Sequence, residues 1–246
     1  MEEKEMNKLI SLELKRNSLR SYHTAALISA LCLLALLYLF AAMPKLDGTE
    51  TGLDMFMTYR SLIGITNIIG MVIFAVLSAV MSARFIVEEY AGKRAVLLFS
   101  YPVARRSIIS SKIGMVFFYT AAAMFLCGAI VYGIFFATES MLPLCAEPLS
   151  AETIVYSLFS LICYSLLAGI MGIIALWFGF GRHSVTVTIV AAVIIAVISC
   201  QIMAVTMTSP AASLLFLAAG GIIAVIVIKN LIDQVCLLYT SDAADD

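Results

Sequence analysis

The chain has 246 residues, of which 63% are hydrophobic, and its formal net charge at pH 7 is -1. Its mean hydropathy is +1.06. Apolar residues make up about half of an ordinary soluble domain, so this composition excludes that class. No basic stripe with interleaved aromatic residues occurs, and we therefore expect no nucleic-acid partner.

The N-terminal segment, residues 1–23, is polar and mixed in charge. Met6, Leu9, Ile10 and Leu14 share one helical arc, which favours an amphipathic helix at the membrane interface. A solvated tail is the alternative. The segment is too long and too acidic for the charged region of a signal peptide.

Six apolar stretches follow, each long enough to cross about 30 Å of hydrocarbon as a helix. Their bounds are 24–43, 61–83, 113–137, 153–180, 184–205 and 211–228. Backbone groups cannot stay unpaired in lipid, so these stretches must be helical. The sequence therefore predicts an all-α integral membrane domain over residues 24–230, with six transmembrane helices.

The basic residues indicate how the chain is oriented. With the N-terminus inside the cell, thirteen of the fifteen Lys and Arg residues lie in inner segments, against Lys45 and Arg60 outside. The thirteen are Lys4, Lys8, Lys15, Arg16, Arg20, Arg84, Lys93, Arg94, Arg105, Arg106, Lys112, Arg182 and Lys229. This positive-inside pattern predicts cytoplasmic termini and a multi-pass protein of the cell membrane, typical of the bacterial cytoplasmic membrane.

The glutamates and histidines offer one catalytic alternative. Glu88, Glu89 and Lys93 resemble the motif of intramembrane CAAX-type proteases, although those enzymes carry arginine where Lys93 stands. Such enzymes also need histidines on later spans, and the later histidine here, His183, is expected in the turn after the fourth span. Paired, solvated charges are the simpler reading. The missing ligand spacing predicts no metal site.

Energy for any transport must come from outside this chain. No phosphate loop of the GxxxxGK[ST] form occurs, so we expect no ATP hydrolysis, catalytic residue or cofactor in the chain itself. No span has a charged residue in its middle of the kind that ion-coupled carriers use. Asn67, Tyr164 and Gln201 are mid-span polar residues and candidates for a translocation path, with interhelical hydrogen bonding as the alternative.

The segment 84–112 is the most specific part of the chain, and it resembles the cytosolic loop of ABC-2 type permeases. In that family, acidic residues after the second span precede a glycine, a Leu-rich helix, a proline turn with arginine, and a lysine that opens the third span. The matching residues are Glu88, Glu89, Gly92, Leu97, Leu98, Ser100, Pro102, Val103, Arg105, Arg106 and Lys112. The segment 12–21 is also similar to the family's pre-span segment.

The physical chemistry of this loop suits contact with a partner. Gly92 can end the helix that leaves the second span. Pro102 fixes its own φ and biases Tyr101 away from helix, so a new helix can begin after it. Between them, an apolar run costs about 25 cal/mol per Å² if left in water, so it favours a partner surface. The expected ATPase-coupling residues are Glu88, Glu89, Gly92, Arg94, Val96, Leu97, Leu98, Phe99, Pro102, Arg105 and Arg106. An ordinary positive-inside loop resting on the membrane remains the alternative.

The resemblance implies the membrane subunit of an ATP-driven exporter. It implies two copies of a separate ABC ATPase subunit, with ATP and Mg²⁺ bound there, and a second permease, identical or paralogous. A membrane anchor or regulatory protein that binds a cytosolic partner without transport is the alternative function. The final segment, 236–246, reads CLLYTSDAADD, resembles translated sequencing-adapter sequence and is expected to be non-native.

Overall fold

The structure is a computed structural model that describes residues 19–46, 58–90, 105–141, 149–206 and 209–242. Within these ranges the chain is helical, with short turns and no strand. The long helices are α1 (Arg20–Leu46), α2 (Tyr59–Ser82), α3 (Arg105–Glu139), α4 (Ala151–Gly181), α5 (Val185–Thr206) and α6 (Pro210–Asp242).

The prediction of six helices that can cross a membrane is confirmed by length and composition. The chain is therefore a multi-pass helical membrane protein. Several helices are longer than the apolar stretches from which they were predicted. The helix α3 has 35 residues, a length of about 52 Å, whereas the hydrocarbon layer is about 30 Å thick. The expected interfacial helix falls mostly before residue 19, and the loop 91–104 lies wholly outside the described residues.

Two helices form the centre of the bundle. In the most apolar 18 residues of each helix, 72% of the residues are buried in α4 and 61% in α2, against 22% in α1 and 11% in α6. The central pair pack against each other, and α4 also contacts α3, α5 and α6. The outer helices present rows of exposed leucine, isoleucine and valine, which suits contact with lipid.

Glycines on α4 allow its neighbours to approach closely. A Cβ added at Gly172 would lie 2.0 Å from Ser78 Oγ on α2, and one at Gly169 would lie 2.7 Å from the Phe117 ring on α3. Such contacts leave no room for a side chain, and small residues at helix interfaces are how membrane helices approach one another. Gly172 therefore lets α4 pack closely against α2. Gly133 on α3, in contrast, faces open space.

A tight turn joins α4 to α5. His183 has a φ of 48°, and the amide of Ser184 donates to the Gly179 carbonyl at 3.1 Å. A left-handed conformation is uncommon for a non-glycine residue but frequent in turns, and histidine tolerates it better than most. The prediction that His183 belongs to the turn between these two spans is confirmed.

The alternating helices give the bundle two ends. We call the end where α3 and α5 begin the basic end, because it holds the α4–α5 turn with Arg182 and the start of α3 at Arg105. The opposite end, where α2 and α4 begin, is called the acidic end after Glu139 and Glu152.

Candidate functional site

The last turns of α2 depart from regular α-helix. After Ser82 the chain continues as a π-helical segment, Ala83–Val87, and then as a single turn, Glu88–Tyr90. The Glu88 amide donates to the Ala83 carbonyl, which is the wider spacing that defines a π-helix. Segments of this kind are rare and occur often at functional sites. This one lies at the start of the segment 84–112 that the sequence singled out.

A buried ion pair joins the π-helical end of α2 to α3. The Lys112 ammonium contacts the Glu89 carboxylate and donates to the Phe85 carbonyl at 3.2 Å. The side chain of Lys112 is 1% exposed and that of Glu89 is 14% exposed. A buried charge is tolerated when it is both paired and hydrogen-bonded, and Lys112 meets both conditions.

The burial of Lys112 differs from the sequence expectation. The hydropathy pattern places it in the loop, where the third apolar stretch has not yet begun. The structure places it inside α3, seven residues after Arg105, because the helix starts about two turns before its apolar stretch does. A long aliphatic stem allows lysine to bury its carbons while its ammonium reaches a polar partner.

The structure describes only part of the expected coupling set. Glu88 is exposed and Glu89 is partly buried, at the end of the α2 extension. Arg105 and Arg106 form the first turn of α3. The remaining members lie in 91–104, outside the described residues: Gly92, Arg94, Val96, Leu97, Leu98, Phe99 and Pro102. Contact between this loop and a partner therefore stays a prediction.

A second polar cluster lies at mid-bundle. The Asn67 amide donates from Nδ2 to Ser160 Oγ at 2.9 Å, and its Oδ1 accepts from the Tyr132 hydroxyl at 2.7 Å. The same hydroxyl lies 3.3 Å from the Ile63 carbonyl. These bonds tie α2 to α3 and α4, as the hydrogen-bonding alternative for Asn67 requires. The sequence did not single out Tyr132, because a lone tyrosine in an apolar stretch carries no pattern.

The three candidates for a translocation path occupy different environments. Asn67 and Tyr164 are buried in the core, whereas Gln201 is exposed on α5 near the acidic end. A cavity of about 10 Å³ beside Asn67 is the size of a single water molecule. These positions do not by themselves outline a passage through one bundle, and their role in transport stays a prediction.

The acidic end carries its own polar contacts. The Tyr59 hydroxyl donates to Glu139 Oε1 at 2.9 Å, and both residues are buried. The Arg60 guanidinium lies 2.8 Å from Glu152 Oε1 and 5.1 Å from the centre of the Tyr156 ring. Glu139 lies beyond the third apolar stretch, 113–137, but α3 extends to include it.

Metal coordination finds no support in the described ranges. There, no three His, Cys, Asp or Glu side chains are grouped in a way that could hold a metal ion. Glu89, one of the two glutamates in the protease-like motif, is paired with Lys112. The pair joins the α2 extension to α3 on either side of residues 91–104.

Comparison with known proteins adds one relative. The chain is 25% identical over 206 residues to the uncharacterized protein YcbO of Bacillus subtilis (strain 168), which covers 84% of this chain and 86% of YcbO. No family model matches the chain, and no solved structure matches it. The similarity thus extends over most of both chains rather than over one motif, and it assigns neither of them a function.

Proposed function

We propose that this chain is the membrane-spanning permease subunit of an ABC exporter of the ABC-2 type. The observation that carries the proposal is the ion pair between Glu89 and Lys112. Both residues belong to the sequence pattern that resembles the ABC-2 loop, one at each end of it. Their pairing holds the two ends of the loop together.

The pair allows force on the loop to be transmitted to the membrane helices. Only residues 91–104 separate the α2 extension from α3, and the pair fastens the two helices beside that loop. A load applied to the loop is then shared by both helices. Since α2 packs against α4 and α5 as well, a displacement of its end reaches the centre of the bundle.

The partners follow from this arrangement. The basic end faces the cytoplasm, as the positive-inside pattern predicts, and two ABC ATPase subunits bind there. ATP and Mg²⁺ are held by those subunits, so this chain is not catalytic alone. A second permease, identical or paralogous, completes the path in the bacterial cytoplasmic membrane. The tight packing beside Asn67 favours a path between two permeases over one within a single bundle.

The coupling loop gives a specific prediction. Replacing Leu97 and Leu98 with Asp should leave membrane insertion intact and reduce ATP-driven transport at least about tenfold, because charged side chains cannot fill an apolar groove of a partner. The matched control is Met141→Asp, since Met141 is an exposed apolar residue, 83% accessible, at the opposite end. ATPase and transport rates, measured in reconstituted vesicles, check the difference. Equal transport by the double variant and the control would contradict the coupling role.

Copurification tests the function as a whole. The full chain, tagged and extracted from its native membrane, should retain a subunit that carries a GxxxxGK[ST] phosphate loop and hydrolyses ATP. Loss of that subunit in the Leu97/Leu98 variant, with retention in the Met141 control, would support the proposal. If the wild-type chain retains no ATPase, the exporter assignment fails. A retained partner without a phosphate loop would favour the anchor or regulatory function instead.

A further inference from the structure

An open groove lies on the outside of the bundle between α3 and α6, with α4 as its floor. Its volume is about 320 Å³, within the usual range of ligand sites. Along α3 it extends from Ser110 to Phe117, a rise of about 10 Å from the basic end towards the middle of the bundle. The lining is apolar except for Ser110: Ile113, Gly114, Phe117, Ile170, Ile173, Gly221, Ala224, Val225 and Ile228.

Two glycines keep this groove open. A Cβ added at Gly114 or Gly221 would meet no atom within 4 Å, in contrast to Gly169 and Gly172, whose missing side chains are required by packing. Glycine within a helix costs up to about 1 kcal/mol relative to alanine. Packing inside this chain does not explain the cost at Gly114 and Gly221. Their effect is to leave space on the surface that α3 and α6 share.

A cation stands at the basic end of the groove. Lys229 is exposed and follows Val225 by four residues, so it lies on the same side of α6, one turn nearer the basic end. Ser110, also exposed, ends the opposite wall. A lysine in this position can extend its ammonium to the level of the lipid headgroups while its stem covers apolar surface.

We propose that this groove binds an anionic phospholipid, with an acyl chain between α3 and α6 and the phosphate at Lys229. Charge complementarity favours this occupant, because basic pockets between membrane helices suit anionic headgroups. The groove also runs along the helices, as an acyl chain does in a bilayer. A helix of a second copy, about 10–12 Å across, would instead place apolar side chains against Lys229 and gain nothing from its charge.

Native mass spectrometry of the full chain in detergent micelles tests the proposal. The protein is titrated with phosphatidylglycerol or phosphatidylcholine that carry the same acyl chains, and the dissociation constant of the first bound lipid is measured for each. Lys229→Gln should weaken phosphatidylglycerol binding about fivefold and leave phosphatidylcholine binding unchanged. The control Arg182→Gln removes an exposed cation of the same end at the α4–α5 turn and should change neither.

Filling the groove tests the acyl-chain part separately. Gly114→Leu combined with Gly221→Leu should weaken both lipids at least about tenfold, because several methylene contacts are lost. The control Gly133→Leu also adds a side chain to α3 at a position that faces open space, and should bind lipid as the wild type does. If the double variant folds poorly, Gly114→Ala and Gly221→Ala should each show a smaller weakening in the same direction.

Several results would overturn the proposal. Equal wild-type affinity for the two lipids would remove the anionic preference, and unchanged binding by the groove-filling variants would remove the acyl-chain site. A groove-filling variant that turns a dimer into a monomer, with lipid binding unchanged, would assign the groove to a second copy of the chain.

Discussion

Two ion pairs fasten α2 to its neighbours at opposite ends of the bundle, and they differ in burial. At the basic end the side chains of Lys112 and Glu89 are 1% and 14% exposed. At the acidic end those of Arg60 and Glu152 are 46% and 79% exposed. The charges are of the same kind, so burial decides how much each pair matters to the fold.

Removing one partner has different consequences at the two ends. A buried charge that loses its partner keeps its desolvation cost, so breaking such a pair typically destabilises by about 3–5 kcal/mol. An exposed pair is screened by water and salt and contributes about 1 kcal/mol or less. Substituting either residue of the Lys112–Glu89 pair should therefore destabilise the fold, whereas the Arg60–Glu152 pair should tolerate substitution.

The largest effect is expected at Lys112. Lys112→Met keeps the side-chain length and leaves Glu89 without its ammonium, which should lower the free energy of unfolding by about 3 kcal/mol, the lower end for a buried pair because Glu89 is partly exposed. Equilibrium unfolding in mixed micelles measures the change. Adding Glu89→Leu should recover most of the loss, since the second charge is then removed. A double variant as unstable as Lys112→Met alone would contradict the ion-pair explanation.

The mid-bundle cluster should rank between the two pairs. Asn67→Leu removes the partner of Ser160 and one of two acceptors near the Tyr132 hydroxyl, and should lower the free energy of unfolding by about 1 kcal/mol. Thr66→Val is the matched control, because the buried Thr66 hydroxyl donates only within its own helix, to Leu62, at 2.8 Å. Thr66→Val should lower the free energy of unfolding by less than Asn67→Leu does. Equal losses in the two variants would mean that the interhelical bonds of Asn67 add no stability.

Hydropathy predicted the six helices but not the burial of charges at their ends. The apolar stretches mark where side chains meet hydrocarbon, and that boundary identified every span. It does not mark where a helix starts or ends. The hydropathy pattern therefore placed Lys112 and Glu139 in loops, although each is buried within α3. Only tertiary contacts, with Glu89 and with Tyr59, reveal why these charges are tolerated.

The partners of a polar side chain were equally hard to predict. Asn67 stood out as a polar residue in an apolar stretch, but its contacts are 65 and 93 residues away in sequence. Helix periodicity carries no information about which helix lies opposite. The pairing of Glu89 with Lys112 could have been suspected, since both belong to the pattern that resembles ABC-2 permeases and lie at the ends of one loop.

The smallest effect is expected at Arg60. Arg60→Gln removes the ion pair to Glu152 and the contact with the Tyr156 ring, and should lower the free energy of unfolding by about 0.5 kcal/mol. Arg60→Lys keeps the charge but loses the planar guanidinium over the ring, so it separates the two contributions. Raising the salt concentration in the same micelle assay should reduce the effect of Arg60→Gln and leave that of Lys112→Met nearly unchanged, because buried charges are screened much less. A salt dependence shared by both ends would mean that water reaches the Lys112 pair, and the contrast between the two ends of α2 would then disappear.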